Sequence, residues 1–101
     1  MIFEWDERKN AINIQKHGVD FADAWEIWEA PMLAVLDERT DYGEDRWVGI
    51  GLLRSRIVVV VWAEPTEDTI RIISVRKALT HERTEYEAAI QNQLGATGSD
   101  D

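Results

Sequence analysis

The sequence predicts an α+β fold: a single small domain in which an antiparallel sheet carries its helices on one face. Three observations lead there. Four β-like runs fill the middle and second half of the chain, and the last three are joined by short turns, as antiparallel neighbours are. Helical patterns stand only before and after those runs, so helices and strands segregate instead of alternating. A chain of 101 residues with 45% hydrophobic content, five of them Trp, is long enough to close one core without staples.

The elements follow in the order β-α-α-β-β-β-β-α. Phe3 and Trp5 alternate with Ile2 and Glu4, a short strand pattern. Asp6 is a helix N-cap residue, the helix runs from about Glu7 to Lys16, and Gly18 stands where a left-handed C-terminal residue is wanted. Lys9, Asn13, Lys16 and His17 stack as one polar stripe along it. A second helix starts at Asp20, with Asp23 three residues on in a capping-box-like arrangement. Phe21, Ala24, Trp25 and Trp28 give it an apolar face, and Pro31 ends it.

The strands come next. Met32 to Leu36 is followed by an acidic loop, Asp37 to Asp45. Arg46 to Leu53 contains Gly49 and Gly51, which weaken a strand or mark a close approach. Arg54-Ser55-Arg56 is a tight connection. Ile57 to Ala63 is nearly all β-branched, as a central strand buried on both faces should be. A turn at Pro65-Thr66-Glu67-Asp68 leads to a last strand, Thr69 to Val75. Thr80 caps a final helix with Tyr86, Ala89, Ile90 and Leu94 as its apolar stripe. Residues 1–94 then form the domain, and 95–101 a flexible tail. One face of the sheet stays open for a partner or ligand.

Composition removes several function classes. There is no cysteine, so disulfides, thiolate metal sites, iron–sulfur clusters and cysteine nucleophiles are excluded. The start, Met1-Ile2-Phe3-Glu4-Trp5-Asp6, lacks the apolar run of a signal peptide. The longest apolar run, Ile57 to Ala63, is far too short to span a membrane. A cytoplasmic domain without membrane contact is expected. The net charge is −9, a field that repels nucleic acid overall. The charge is uneven, however. Nine acids face two bases between Asp20 and Arg46, whereas Arg71, Arg76, Lys77 and Arg83 face only Glu82 near the end.

No Gly-rich phosphate loop or Walker pattern is present. Neither histidine has metal-ligand spacing, and no serine sits on a nucleophile elbow. The chemistry-bearing residues are donors: Lys9, Asn13, Lys16 and His17 early, then Arg71, Ser74, Arg76, Lys77, His81, Arg83 and Tyr86. Phosphate recognition uses this inventory, with Arg as a bidentate fork, Lys as a point charge and hydroxyls as donors. Histidine adds a proton carrier near neutral pH. Each has a structural alternative. His17 complements a helix dipole, Lys9 and Lys16 suit a solvated helix surface, and Tyr86 suits a core. Arg71 and Arg76 are five apart, so strict alternation sends them to opposite faces and makes at least one a structural ion-pair partner for the acidic segment, unless a bulge re-aims it.

The wording of two stretches is familiar. Phe3-Glu4-Trp5-Asp6, Lys9, Asn13, Lys16-His17-Gly18-Val19, Phe21 and Ala24 resemble the opening of the BrnT family of bacterial toxins. Asp37, Arg46, Gly49 and Gly51 continue the pattern. Arg71-Ile72-Ile73-Ser74-Val75-Arg76-Lys77-Ala78, with Glu82-Arg83 and Tyr86-Glu87, resembles its closing signature. The resemblance covers roughly residues 2–87. It implies a RelE-like fold and a metal-independent, cofactor-free endoribonuclease, the toxin of a type II toxin–antitoxin system. A BrnA-like ribbon-helix-helix antitoxin would neutralise it, and the pair would repress their operon, with operator DNA touched only through the antitoxin. On this resemblance His17 is the leading acid/base. Arg71, Arg76 and Arg83 are phosphate clamps, and Tyr86 orients substrate or donates a proton. Lys9, Lys16, Ser74, Lys77 and His81 contact RNA. Val75, Leu79-Thr80-His81, Thr84 and Glu85 depart from the family pattern and make the corner less cationic. The alternative reading is a weak or inactive homologue that acts as an antitoxin-binding co-repressor.

Overall fold

The computed structural model describes residues 1–38 and 43–98, with the backbone alone from 93 onward. Part of the acidic loop, 39–42, and the last three residues of the expected tail, 99–101, lie outside the described residues. The elements are β1 (Ile2–Trp5), α1 (Glu7–His17), a 3-10 helix (Phe21–Glu29), β2 (Leu33–Asp37), β3 (Arg46–Leu53), β4 (Arg56–Thr66), β5 (Thr69–Lys77) and α2 (Thr80–Gly98). The α+β class is as the sequence predicts. α2 continues through 95–98, four residues of the expected tail.

The five strands form one sheet in the order β1-β5-β4-β3-β2. β2 to β5 make the antiparallel meander. β1 departs from the expectation of an all-antiparallel sheet: it pairs parallel with β5, Phe3 opposite Ile70 and Trp5 opposite Ile72. These strands come from opposite ends of the chain. A parallel pair needs a long crossover and leaves no turn signal in the sequence.

The helices also depart from expectation, for they cover both faces. Val58, Val60 and Trp62 of β4 join Val19, Phe21, Ala24, Ile27, Ile72 and Val75 in a core under α1 and the 3-10 helix. Val59, between them, joins Ile50 and Tyr86 in a second core under α2. Strand side chains alternate between faces, and both sets in β4 are buried. A central strand apolar on both sides therefore demands a cover on each.

The caps form as the sequence requires. The Asp6 carboxylate accepts from the N–H groups of Arg8 and Lys9, which holds its pKa below the usual range. Gly18 closes α1 at φ 70°, a left-handed conformation costly for a residue with a Cβ. Asp20 caps the next segment. That segment is a 3-10 helix, however, with three residues per turn. Its buried stripe is accordingly Phe21, Ala24 and Ile27, while Trp25 is 48% exposed. Trp28 packs edge-on between Phe3 and Trp62, with ring centroids 5.3 and 5.1 Å away. Gly51 lets this helix settle on β3: a Cβ there would stand 2.6 Å from Ile27 Cγ2.

Candidate active site

The last strand organises the site. Val61 lies opposite Ser74, but Trp62 lies opposite Ile72, so Ile73 is an extra residue bulged out of the β4–β5 ladder. A bulge resets the alternation of side chains beyond it. Arg71, Ser74 and Arg76 consequently share the α2 face, opposite Ala63, Val61 and Val59 respectively. The two arginines that strict alternation would separate are brought to one side.

Ile73 itself belongs with α1. It lines a shallow depression with Lys9, Ile12, Asn13, Lys16 and His17. This helix inverts the usual pattern: its buried residues are Asn10 and Asn13, while Ile12 and Ile14 are exposed. The reason is that β1 ends at Trp5, and Asn13 takes over the vacated edge of β5. Its side-chain oxygen accepts from Val75 N–H at 3.1 Å, and its nitrogen donates to the Val75 carbonyl at 2.8 Å and to the Val19 carbonyl at 3.0 Å. Asn10 does the same service for the 3-10 helix, accepting from Phe21 N–H and donating to Asp20. Asn13 thus leaves the expected polar stripe and works inside, while Lys9 and Lys16 remain exposed beside a half-buried His17.

On the α2 face the cations meet carboxylates. Arg76 makes a bidentate pair with Glu82, both N···O distances 2.8 Å. Glu82 also accepts from the Leu79 N–H at 2.8 Å, so one carboxylate caps α2 and holds the strand's arginine. The Arg76 guanidinium, helped by the Leu79 N–H, holds the Glu82 carboxyl at a pKa of about 2 despite its partial burial. Arg71 donates to Glu4 at 2.8 Å and to Glu44 at 3.4 Å. Glu44 also lies 3.7 Å from Arg46. Tyr86 is buried, and its hydroxyl donates to the Pro31 carbonyl at 2.9 Å; burial pushes its pKa up.

The expected site residues therefore fall into two groups. Arg71, Ser74, Arg76, His81 and Tyr86 belong to the α2 face. His81 lines the groove between that helix and the sheet. Arg83 is exposed on the first turns of α2. Lys9, Lys16 and His17 belong to α1, and Lys77 lies opposite Val58 on the α1 face. His17 lies with α1 and Arg76 with Glu82 of α2; the groups adjoin at the bulge, where Ile73 faces α1 and Ser74 the other side. The Arg71–Glu44 contact meets the expectation that one of these arginines pairs with the acidic segment; sequence reasoning missed Glu4 and Glu82 as partners. The signal for Glu82 was its place two residues into a Thr80-started helix, where a carboxylate reaches back to cap.

Among the described residues no helix is long and apolar enough to cross a membrane. Comparison with curated proteins returns no match. A family model described as the ribonuclease toxin BrnT of type II toxin–antitoxin systems matches residues 5–82. The chain is also similar to the crystal structure of the Brucella abortus ribonuclease toxin BrnT, at 30% identity and a TM-score of 0.62 over 79% of this chain and all of that one. The matched span holds both α1 and the bulged strand, and it ends at the carboxylate that grips Arg76. The chain belongs to the BrnT family of ribonuclease toxins of type II toxin–antitoxin systems.

Proposed function

We propose that this chain is a cytoplasmic, metal-independent endoribonuclease whose active site straddles the β5 bulge. The observation that carries the reading is the bulge at Ile73. It sets Ser74 and Arg76 on one side and opens the depression of Lys9, Lys16 and His17 on the other. A phosphodiester lodged at the bulge, between the end of β1 and the Asn13–Val75 contact, would be approached from both. In the reaction the 2′-oxygen attacks phosphorus, the P–O5′ bond breaks, and a cyclic phosphate and a 5′-hydroxyl result. One group must take the 2′ proton, one must protonate O5′, and cations must hold the developing phosphorane charge. His17 is assigned the proton transfer, and Arg76, Arg71 and Arg83 the charge. Tyr86 is assigned a positioning role, in keeping with its buried ring and engaged hydroxyl. Lys9, Lys16, Ser74, Lys77 and His81 bind the RNA backbone. A BrnA-like ribbon-helix-helix antitoxin neutralises the toxin, and the complex represses its operon through the antitoxin's contact with operator DNA.

A second reading has an observation of its own. Arg71 and Arg76 are both engaged by carboxylates, which lowers their call on phosphate. That favours a weakly active homologue serving as antitoxin-binding co-repressor. Incubation of the purified chain with RNA in EDTA separates the two. Cleavage that is lost in His17→Ala and Arg76→Ala supports the ribonuclease. An intact RNA with tight antitoxin binding supports the co-repressor.

A further inference from the structure

α2 crosses its face of the sheet without filling it. An open groove of about 640 Å³ remains, floored by Val35, Val48, Ile50 and Val59 and walled by Glu85 and Ala89. Val35 is 61% exposed, and Leu36 beside it 36%. The floor opens sideways onto β2, the last strand of the sheet, and among the described residues no strand pairs with its outer edge. Edge strands are usually blunted with lysine, proline or a bulge. β2 reads Leu-Ala-Val-Leu-Asp and its register against β3 is unbroken, so it has none of these. Carboxylates stand beside the patch: Glu85 on the helix and Glu38 just past the strand's end.

We propose that the β2 edge and the groove under α2 dock an extended, basic segment of the antitoxin, its apolar residues alternating with cationic ones. The proposal rests on the toxin–antitoxin reading. Such a segment would pair its backbone with β2 and send every second side chain onto Val35 and Val48. Its cations would meet the carboxylates at 38 and 85. Charge decides the occupant: two copies of a chain carrying −9 repel along such an edge, whereas a basic segment is steered to it.

The test uses the full chain and the antitoxin encoded with it. Binding is titrated for the unmodified chain, for Val35→Asp, and for Trp25→Asp as another exposed apolar position on the opposite face. Hydrogen exchange follows residues 33–37 in the unmodified complex. The expected result is about tenfold or greater weakening in Val35→Asp alone, with slowed exchange at 33–37 on binding. Unchanged affinity in Val35→Asp together with unprotected 33–37 overturns the proposal while leaving the toxin–antitoxin reading intact. A Val35→Asp effect confined to self-association, read as the mass of the free chain in solution, overturns it in favour of a second copy. Absence of any complex with the unmodified chain overturns the underlying reading and the docking proposal together.

Discussion

Arg76 of the last strand and Glu82 of the following helix face each other fork to fork, with both N···O contacts at 2.8 Å. The pair sets how strand and helix join, because the same carboxylate caps α2 through Leu79 N–H. It also sets the resting state of the Arg76 guanidinium. On the proposed function, substrate phosphate would compete with Glu82 for it.

The pair makes stability depend on acid. The Glu82 carboxyl is held at about 2, below its ordinary value of 4.5. A depressed carboxylate contributes stability that is whole above its unfolded pKa and lost as pH falls through its folded one. The loss therefore falls between about pH 4.5 and 2. Arg76 is more than a third exposed, so solvent screening reduces the contribution to about 1–2 kcal/mol. Urea unfolding across that window should show the loss in the native chain and a flatter profile in Glu82→Gln.

Asn13→Ala should be among the most damaging substitutions on α1. It removes one acceptor and two donor contacts from a residue only 5% exposed. The N–H and carbonyl of Val75 and the carbonyl of Val19 lose their partner, and buried backbone groups left unpaired cost about 2–4 kcal/mol together. Equilibrium unfolding in urea measures this directly. Ile12→Ala, at an exposed position on the same helix, should change stability by less than about 0.5 kcal/mol.

Gly51→Ala probes the seat of the 3-10 helix on the sheet. Its Cβ would meet the Ile27 methyl at 2.6 Å, and Ile27 is fully buried. Overpacking of this kind costs about 1–3 kcal/mol. The midpoint of thermal unfolding should fall accordingly.

Local chemistry was legible in the sequence, and long-range pairing was not. Asp6, Gly18 and Asp20 announce helix ends because their signals lie within a few residues. The run from Ile57 to Ala63 announces a doubly buried central strand, and β4 is one. That reading already required covers on both faces, which the end helices supply from opposite sides. The parallel partner of β1 lies at the other end of the chain and leaves no local trace. The second helix was read with a 3.6-residue period, which put Trp25 inside; a three-residue period buries Ile27 instead. In the site, the donor residues were legible by type. Their division between α1 and the α2 face was not, because the bulge at Ile73 that aligns Arg71 with Arg76 has no mark in a strand of otherwise regular β-forming residues. Asn13 was legible as polar but not as buried, since a stripe of polar residues reads as solvated unless one of them meets an open strand edge.

On the proposed function, one RNA phosphodiester is held at the Ile73 bulge by groups from both faces of the sheet. The rate of RNA cleavage in EDTA by the native chain, His17→Ala and Arg76→Ala, with folding of each checked by its unfolding transition, tests this. The native chain should cleave, and each variant should lose about 100-fold or more, the scale of removing a group that stabilises the transition state. Cleavage at native rates by either folded variant would overturn this arrangement.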